Sequence, residues 1–424
     1  MTAANHKTTE SAESAESAER AKTDESAERA EFRAGVKAWY DANATPKRDD
    51  SPWETNVHVD PAEAQRHFLT SKVWQGRLHE AGLAGIAWPE EYGGGGGKPW
   101  MTRIEREVSL GYEEWVGFVG ATIAMLGPTL LRHGTEEQKR EYLPKLLSAE
   151  LSFCQLFSEP GAGSDLAALA TRAERDGDEF ILNGQKVWNS SAQYCDWGFV
   201  LVRTDPDAPK HKGITFLLVD MSTPGIEVRP LVQINRSAHF NEVFLSDVRV
   251  PVANVVGEIN QGWTPARTVL SNESAFIAGA RIPTRSKLIE LAGDKGLLGD
   301  LVVRQELADY YSRELISGWM GERFQYAVRS GESPPMDPGL IKLMASQNRR
   351  LSGDLACRIL GMESDAGGGE KVHWAQMELL GRYSISIGGG TDEVLKNNIG
   401  ERSLRLPREP GYDKNQPWRE IPRS

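Results

Sequence analysis

Residues Leu156–Asp165 read LFSEPGAGSD, and residues Asn183–Ser191 read NGQKVWNSS. In the first segment Pro160, Gly161 and Gly163 impose an irregular backbone that can approach a flat ligand closely, with Ser158, Ser164 and the loop N–H groups as donors. The loop has no GxGxxG after a strand, so it is not a dinucleotide fingerprint. The pentaglycine Gly93–Gly97 is followed by Lys98 and Pro99, where a phosphate-binding loop needs Ser or Thr, and it reads as a flexible loop.

Working outward, Leu151 to about Gly257 carries short β-rich runs: EFILNGQKVW, GFVLVRT, GITFLLVDM, GIEVRPL and EVFLSDVRVP. Turn residues separate them, which predicts a β domain. Asn183-Gly184 predicts a hairpin, because a type I′ turn wants positive φ at both central positions. On the N-terminal side the spacing is helical, as in Phe32, Val36, Trp39 and Tyr40 and again in Val73, Leu78, Ala81 and Leu83. GTEEQKREYLPKLL offers Thr135 as N-cap, Glu136 and Glu137 in the first turn and Lys145 near the end, predicting a helix that stops near Glu150. Helical spacing resumes at Gln261 and runs to about Leu404, broken at LAGDKGLLGD and SGESPPMDPG. The opening ESAESAESAERAKTDESAERA has no apolar face to bury and is expected to stay disordered. The expected organisation is an acidic tail at 1–30, a helical domain at 31–150, a middle β domain at 151–258, a second helical domain at 259–405 and a tail at 406–424.

The 424 residues exceed what one core usually organises. A net charge of −11 argues against broad nucleic-acid binding while leaving room for a confined anion site. Cys154, Cys195 and Cys357 lie far apart in sequence with no CxxC pair, so neither a disulfide framework nor a cysteine-rich metal site is expected, and a reducing, cytoplasmic setting fits. No basic segment and apolar h-region open the chain. The longest uncharged stretch, Trp115 to Leu131, is interrupted by Gly117, Gly120, Gly127 and Pro128 and is shorter than the ~20 residues of a membrane span, which predicts a buried helix.

Taken together, LFSEPGAGSD, NGQKVWNSS, GTEEQKREYLP, FNEVFLSDVRVP and the closing GGGTDEVLKNNIGERSLRLPREP resemble the acyl-CoA dehydrogenase family, collinearly from about Phe32 to Pro410. The resemblance implies an α+β multidomain fold: an N-terminal helical domain, a β-barrel-like middle domain and a C-terminal four-helix bundle. It also implies FAD, with the positions of Phe157, Ser158, Gly163, Ser164, Trp188, Ser190 and Thr391 around it, and Ser164 and Gly389 near the substrate. A hydroxyl at Ser190 suits the nitrogen that accepts hydride, and Ser replaces the more usual Thr there. Many members carry the catalytic Glu just before a Gly-Thr pair, but here that position is Gly389. Others place it eleven residues after a glycine that follows the β domain, and counting from Gly262 reaches Glu273.

Glu273 is accordingly the candidate base for α-proton removal, yielding a trans-2-enoyl-CoA, with electron-transferring flavoprotein as the implied acceptor. Several positions depart from the family pattern. Ser274 stands where Arg usually follows the base, and LAGDKGLLGDLVVRQELADYY lacks the Arg-x-x-Phe-Gly segment. In RILGME, Met362 replaces the second glycine, and Arg358 replaces a common Gln. These losses resemble a bacterial branch whose unlike subunits pair on bulky acyl groups such as sterol side chains. Homodimer, homotetramer and heteromer with a related chain stay open, as do a non-catalytic half-site subunit and an oxidase.

Overall fold

The computed structural model describes residues 27–47, 53, 58–113, 117–279, 284–330, 332, 336–408 and 415–421. Helix α1 spans 27–43, beginning four residues inside the segment expected to stay unfolded; the rest of that segment, 1–26, lies outside the described residues. Helices α2 (Pro61–Glu80), α3 (Pro99–Ser109), α4 (Gly117–His133) and α5 (Glu136–Leu147) complete the first layer. Thr135 caps α5 through a reciprocal box with Gln138. The Gln138 amide also donates to Ala253 O (2.8 Å) and Val255 O (2.9 Å), tying that cap to the next domain. Helix α4 is the buried helix expected of the uncharged stretch, with Leu126 and Leu130 fully covered.

The middle domain is a seven-stranded sheet: β1 (Phe153–Leu156), β2 (Arg172–Asp176), β3 (Glu179–Val187), β4 (Trp197–Arg203), β5 (Ile214–Asp220), β6 (Ile226–Leu231) and β7 (Phe240–Pro251). Its order is β1-β4-β2-β3-β7-β6, with β5 beside β4. Phe199, Leu201, Phe216 and Leu218 of β4 and β5 pack under α4, α5 and the following helix. The alternate residues Val200, Val202, Leu217 and Val219 pack against Phe180, Leu182, Val243 and Leu245 of β3 and β7 in the same sheet. A sheet whose far strands cover its own inner face is curled into a half-barrel. The period-2 alternation thus serves two cores at once.

Two sequence expectations give way here. Strand β3 runs straight through Asn183-Gly184, and its turn toward β2 falls at Gly177 (φ 62°), between the paired Asp176 and Glu179. Gly184 instead marks a register shift against β7, where Asn183 and Asp247 exchange hydrogen bonds of 3.0 Å, and a Cβ on Gly184 would lie 2.7 Å from Thr171 Cα. The pentaglycine is pinned rather than loose: the N–H groups of Gly94, Gly95, Gly96 and Gly97 donate to Pro89, Gly85, Trp88 and Ile86 carbonyls. Glycine is needed there because the backbone presses on Trp88, not because the segment must flex.

The third layer is helical: α6 (Trp263–Gly279), α7 (Thr284–Asp294), α8 (Leu301–Ser330), α9 (Gly339–Leu360), α10 (Glu363–Ala366), α11 (Glu370–Gly381), α12 (Ser384–Ile387) and α13 (Asp392–Asn398). Helix α9 is central, packing against α6, α7, α8 and α11. Helix α6 starts hard against β5: Gly262 N–H donates to Ile214 O (2.7 Å), and a Cβ there would lie 2.4 Å from Phe216 N. Residues 415–421 return to the sheet, where Trp418 is buried over the Arg203 guanidinium (4.7 Å) and donates to Ala168 O (3.3 Å).

Candidate active site

Three segments meet at Gln155 on β1, and a glycine turn joins them at Glu273. The Gln155 carbonyl accepts Asn189 Nδ2 (2.8 Å), and its side-chain Nε2 donates to Glu273 Oε2 (3.3 Å). The backbone N–H of Gly389 also favours the ionised form of the Glu273 carboxyl. Gly389 and Gly390 form a turn with φ of 65° and 87°, which only glycine adopts at low cost. Ser274 fastens this turn to α6 by donating to Gly389 O (3.4 Å). Lys342 on α9 donates to Gly390 O and sits 3.9 Å from Asp392. Asp392 also accepts Ser346 Oγ (2.7 Å) and pairs with Arg350 (3.3 Å), so one stripe of α9 clasps the start of α13.

Burial pushes the Glu273 carboxyl above its ordinary range, against the Gln155 and Gly389 hydrogen bonds and the charge of Lys342, which pull it down. Burial likewise pushes the Lys342 ammonium down, opposed by Asp392, Glu273 and Glu393. Glu378, on α11, is the other described carboxylate raised by burial, but Arg349 holds it at 2.7 Å in an ion pair. Glu273 has no cation in direct contact among the described residues. It is therefore the carboxylate left available for proton transfer.

On the sheet side, Trp188 takes a positive φ of 62° and leaves its indole 59% exposed, edge-on to Phe240 at 5.8 Å. The strain and exposure of so large a ring suit a platform for a flat ligand. Asn189 behind it is buried: its N–H donates to Asn241 O (3.1 Å), and Asn241 Nδ2 returns to Asn189 O (2.8 Å). Ser158 and Ser190 are half-buried, Gly163 and Ser164 exposed. Nothing lies within 4 Å of where a Cβ on Gly161 or Gly163 would stand. Glu159 anchors the loop from beneath: it pairs with Lys186 (2.7 Å) and accepts the N–H groups of Ala170 (2.6 Å) and Thr171 (2.9 Å).

Not every anticipated residue faces this space. The Phe157 ring is buried between Phe199 and Phe216, each near 87° to it, which leaves only its main chain for a ligand. The Thr391 hydroxyl oxygen caps α13, accepting Val394 N–H (3.2 Å), which leaves only its O–H to donate to a ligand. The N–H of Gly389, expected to face a thioester carbonyl, also acts on the Glu273 carboxyl. Sequence reasoning missed Gln155, Asn189, Lys342 and Asp392. Gln155 alone carried a local signal, a polar residue on the face it shares with Phe153 and Phe157.

Comparison with known proteins is consistent along the chain. The family model described as the acyl-CoA dehydrogenase N-terminal domain matches residues 26–150, and that of the middle domain matches residues 154–248. The acyl-CoA dehydrogenase IpdE1 of Mycobacterium tuberculosis is 36% identical over 89% of this chain and 98% of its own length. FadE34 of the same organism is 39% identical over 82% of this chain, which spans only 48% of that longer protein. Among solved structures, the Tcur3481-Tcur3483 steroid ACAD superposes with a TM-score of 0.71 at 30% identity, covering 90% of this chain and 98% of that one.

Proposed function

The chain belongs to the acyl-CoA dehydrogenase family, within its bacterial steroid-type branch, and from that premise we propose that it converts an acyl-CoA thioester to the trans-2-enoyl-CoA with FAD as cofactor. The observation that carries the reading is Glu273: a half-buried carboxylate with raised proton affinity, with no contacting cation among the described residues, and joined through Gln155 and Asn189 to the segment that carries Trp188. FAD, when bound, supplies the hydride acceptor. Ser158, Gly163, Ser164, Trp188, Ser190 and Thr391, with the main chain at Phe157, are the residues proposed to hold it. The exposed indole, the half-buried hydroxyls and the open space over the loop glycines fit a flat ring bearing acceptors.

Within this reading the ionised Glu273 accepts the α proton. A thioester carbonyl entering the Gly389 turn competes with the carboxylate for the Gly389 N–H. Substrate binding then removes one of two donors that stabilise the anion and strengthens the base when it is needed. Lys342 limits this gain, since its charge still favours the ionised form. The acyl group is proposed to be bulky, by likeness to the steroid ACAD, and electron-transferring flavoprotein to be the acceptor.

One face of the helical layer favours a partner. Ile316, Trp319 and Tyr326 on α8 are 42%, 60% and 60% exposed. So much apolar surface is unusual on a lone chain. A second copy, as homodimer or homotetramer, or a related subunit is proposed to cover it. The second reading, a half-site subunit completing a partner's flavin site, draws on the same face and on the departures. Arg358 is taken up by Glu306, and Met362 is 89% exposed. Purification with and without a co-expressed relative separates the two. A yellow protein that bleaches anaerobically with an acyl-CoA supports the enzyme; a colourless chain that gains flavin only with its partner supports the half-site subunit. Peroxide release during turnover would mark an oxidase.

A further inference from the structure

Gln155 interrupts an apolar face. Phe153 and Phe157, two residues to either side, belong to the core beneath α4 and α5, and Cys154 and Leu156 on the opposite face are fully buried. A half-buried amide in that setting has lost part of its water, and a partner offsets it. Its side-chain Nε2 donates to Glu273 Oε2 across 118 residues of sequence (3.3 Å), while its main-chain carbonyl accepts Asn189 Nδ2 (2.8 Å). The same residue therefore connects the platform segment Trp188–Ser190 with the candidate base.

We propose that Gln155 is a positioning residue that fixes the orientation of the Glu273 carboxylate relative to the platform. The proposal rests on the reading of Glu273 as base. Its physical content is that Oε2 is held from the sheet, so the carboxyl plane cannot turn freely on its helix. The amide suits both protonation states: its NH₂ donates to the carboxylate, and its carbonyl accepts the O–H once the proton has been taken. A Lys or Arg at this point would hold the anion too firmly, and an apolar residue would not hold it at all.

The charged groups facing this arrangement are few. Helix α9 presents Lys342, backed by Asp392 and Glu393. The glycine turn offers only its N–H. Helix α4 presents Arg132 and His133, the latter bonded to Thr268 on α6 (2.9 Å), five residues before Glu273. On α6 itself the nearest basic residue in sequence is Arg267, and β5 carries a single charge, Asp220, at its end.

The test uses the full chain, with any partner it requires, and the Gln155→Met and Gln155→Glu variants. Met keeps the length without the donor; Glu keeps the shape and places a like charge against Glu273. The readout independent of turnover is the infrared carbonyl band of the protonated Glu273 carboxyl, assigned by its loss in Glu273→Gln and titrated against pH. Both variants are expected to move its midpoint upward, Glu the further. Anaerobic flavin reduction should slow about 10-fold for Met, the loss expected of one hydrogen bond to a charged group. Its pH limb should shift with the band while KM changes little. If Met and Glu both leave band and limb in place while Glu273→Gln abolishes reduction, Gln155 is only structural and the base stands. If Glu273→Gln reduces flavin normally, the base reading itself fails and this inference falls with it.

Discussion

Glu159 and Glu273 are both shielded carboxylates, yet their environments set them to opposite purposes. Glu159, beneath the LFSEPGAGSD loop, meets the Lys186 ammonium and two backbone N–H groups. Burial alone would push its carboxyl up, but the Lys186 charge and these hydrogen bonds hold it below the usual range. Glu273, on the helical wall, has an amide and one N–H, with the nearest attributed charge coming from Lys342, and burial wins. The contrast teaches that burial does not make a carboxylate reactive. What matters is whether the donors around it compensate fully for lost water, as in the loop anchor, or only in part, as at the wall.

The comparison breaks most visibly at Glu273. Replacing it by Gln should leave bound flavin unchanged and lower turnover by about 10⁴-fold, the upper range for a lost general base; steady-state kinetics alongside flavin absorbance checks both halves. The loop anchor should respond in stability instead. Lys186→Met strands a buried charge on Glu159 and is expected to cost about 3–5 kcal/mol, read from the denaturant midpoint.

Opposite proton affinities give opposite pH dependences. Glu159, with a lowered folded value, contributes stability present above its unfolded pKa and lost as pH falls through the folded one. Glu273, with a raised value, contributes stability present below its unfolded pKa and lost as pH rises through the folded one. Glu273→Gln should accordingly stabilise the fold at pH 7, measured by chemical denaturation across pH. A destabilised variant would show that the carboxylate is fully compensated after all. The smallest effect belongs to the platform: Trp188→Ala should weaken flavin affinity by roughly 3- to 10-fold, the worth of one aromatic contact, in a fluorescence titration.

The order of layers was legible because each carries its own period, and the α5 cap because Thr135 and Gln138 are a local pattern. Glu273 was reachable through the family resemblance, by counting eleven residues from Gly262; that glycine is pressed onto β5 without room for a Cβ, which suits a fixed start for α6. The hairpin was misread since two turn signals, Asp176-Gly177 and Asn183-Gly184, compete within eight residues. Pairing with β7 selects the first and makes the second a register shift. Lys342 stayed hidden, and Gln155 showed only as a polar residue on an apolar face, because their roles exist only after distant segments meet. Neither has a neighbour in sequence that reveals its partner.

The central claim is that Glu273 takes the α proton of a bound thioester. It is tested most directly by incubating the protein in deuterium oxide with an acyl-CoA whose β carbon carries no hydrogen, so that proton removal is the only step open, and following label at the α carbon by mass spectrometry. The wild-type protein should exchange that position, and Glu273→Gln, with its flavin still bound, should not. Exchange by the variant at the wild-type rate would contradict the assignment outright.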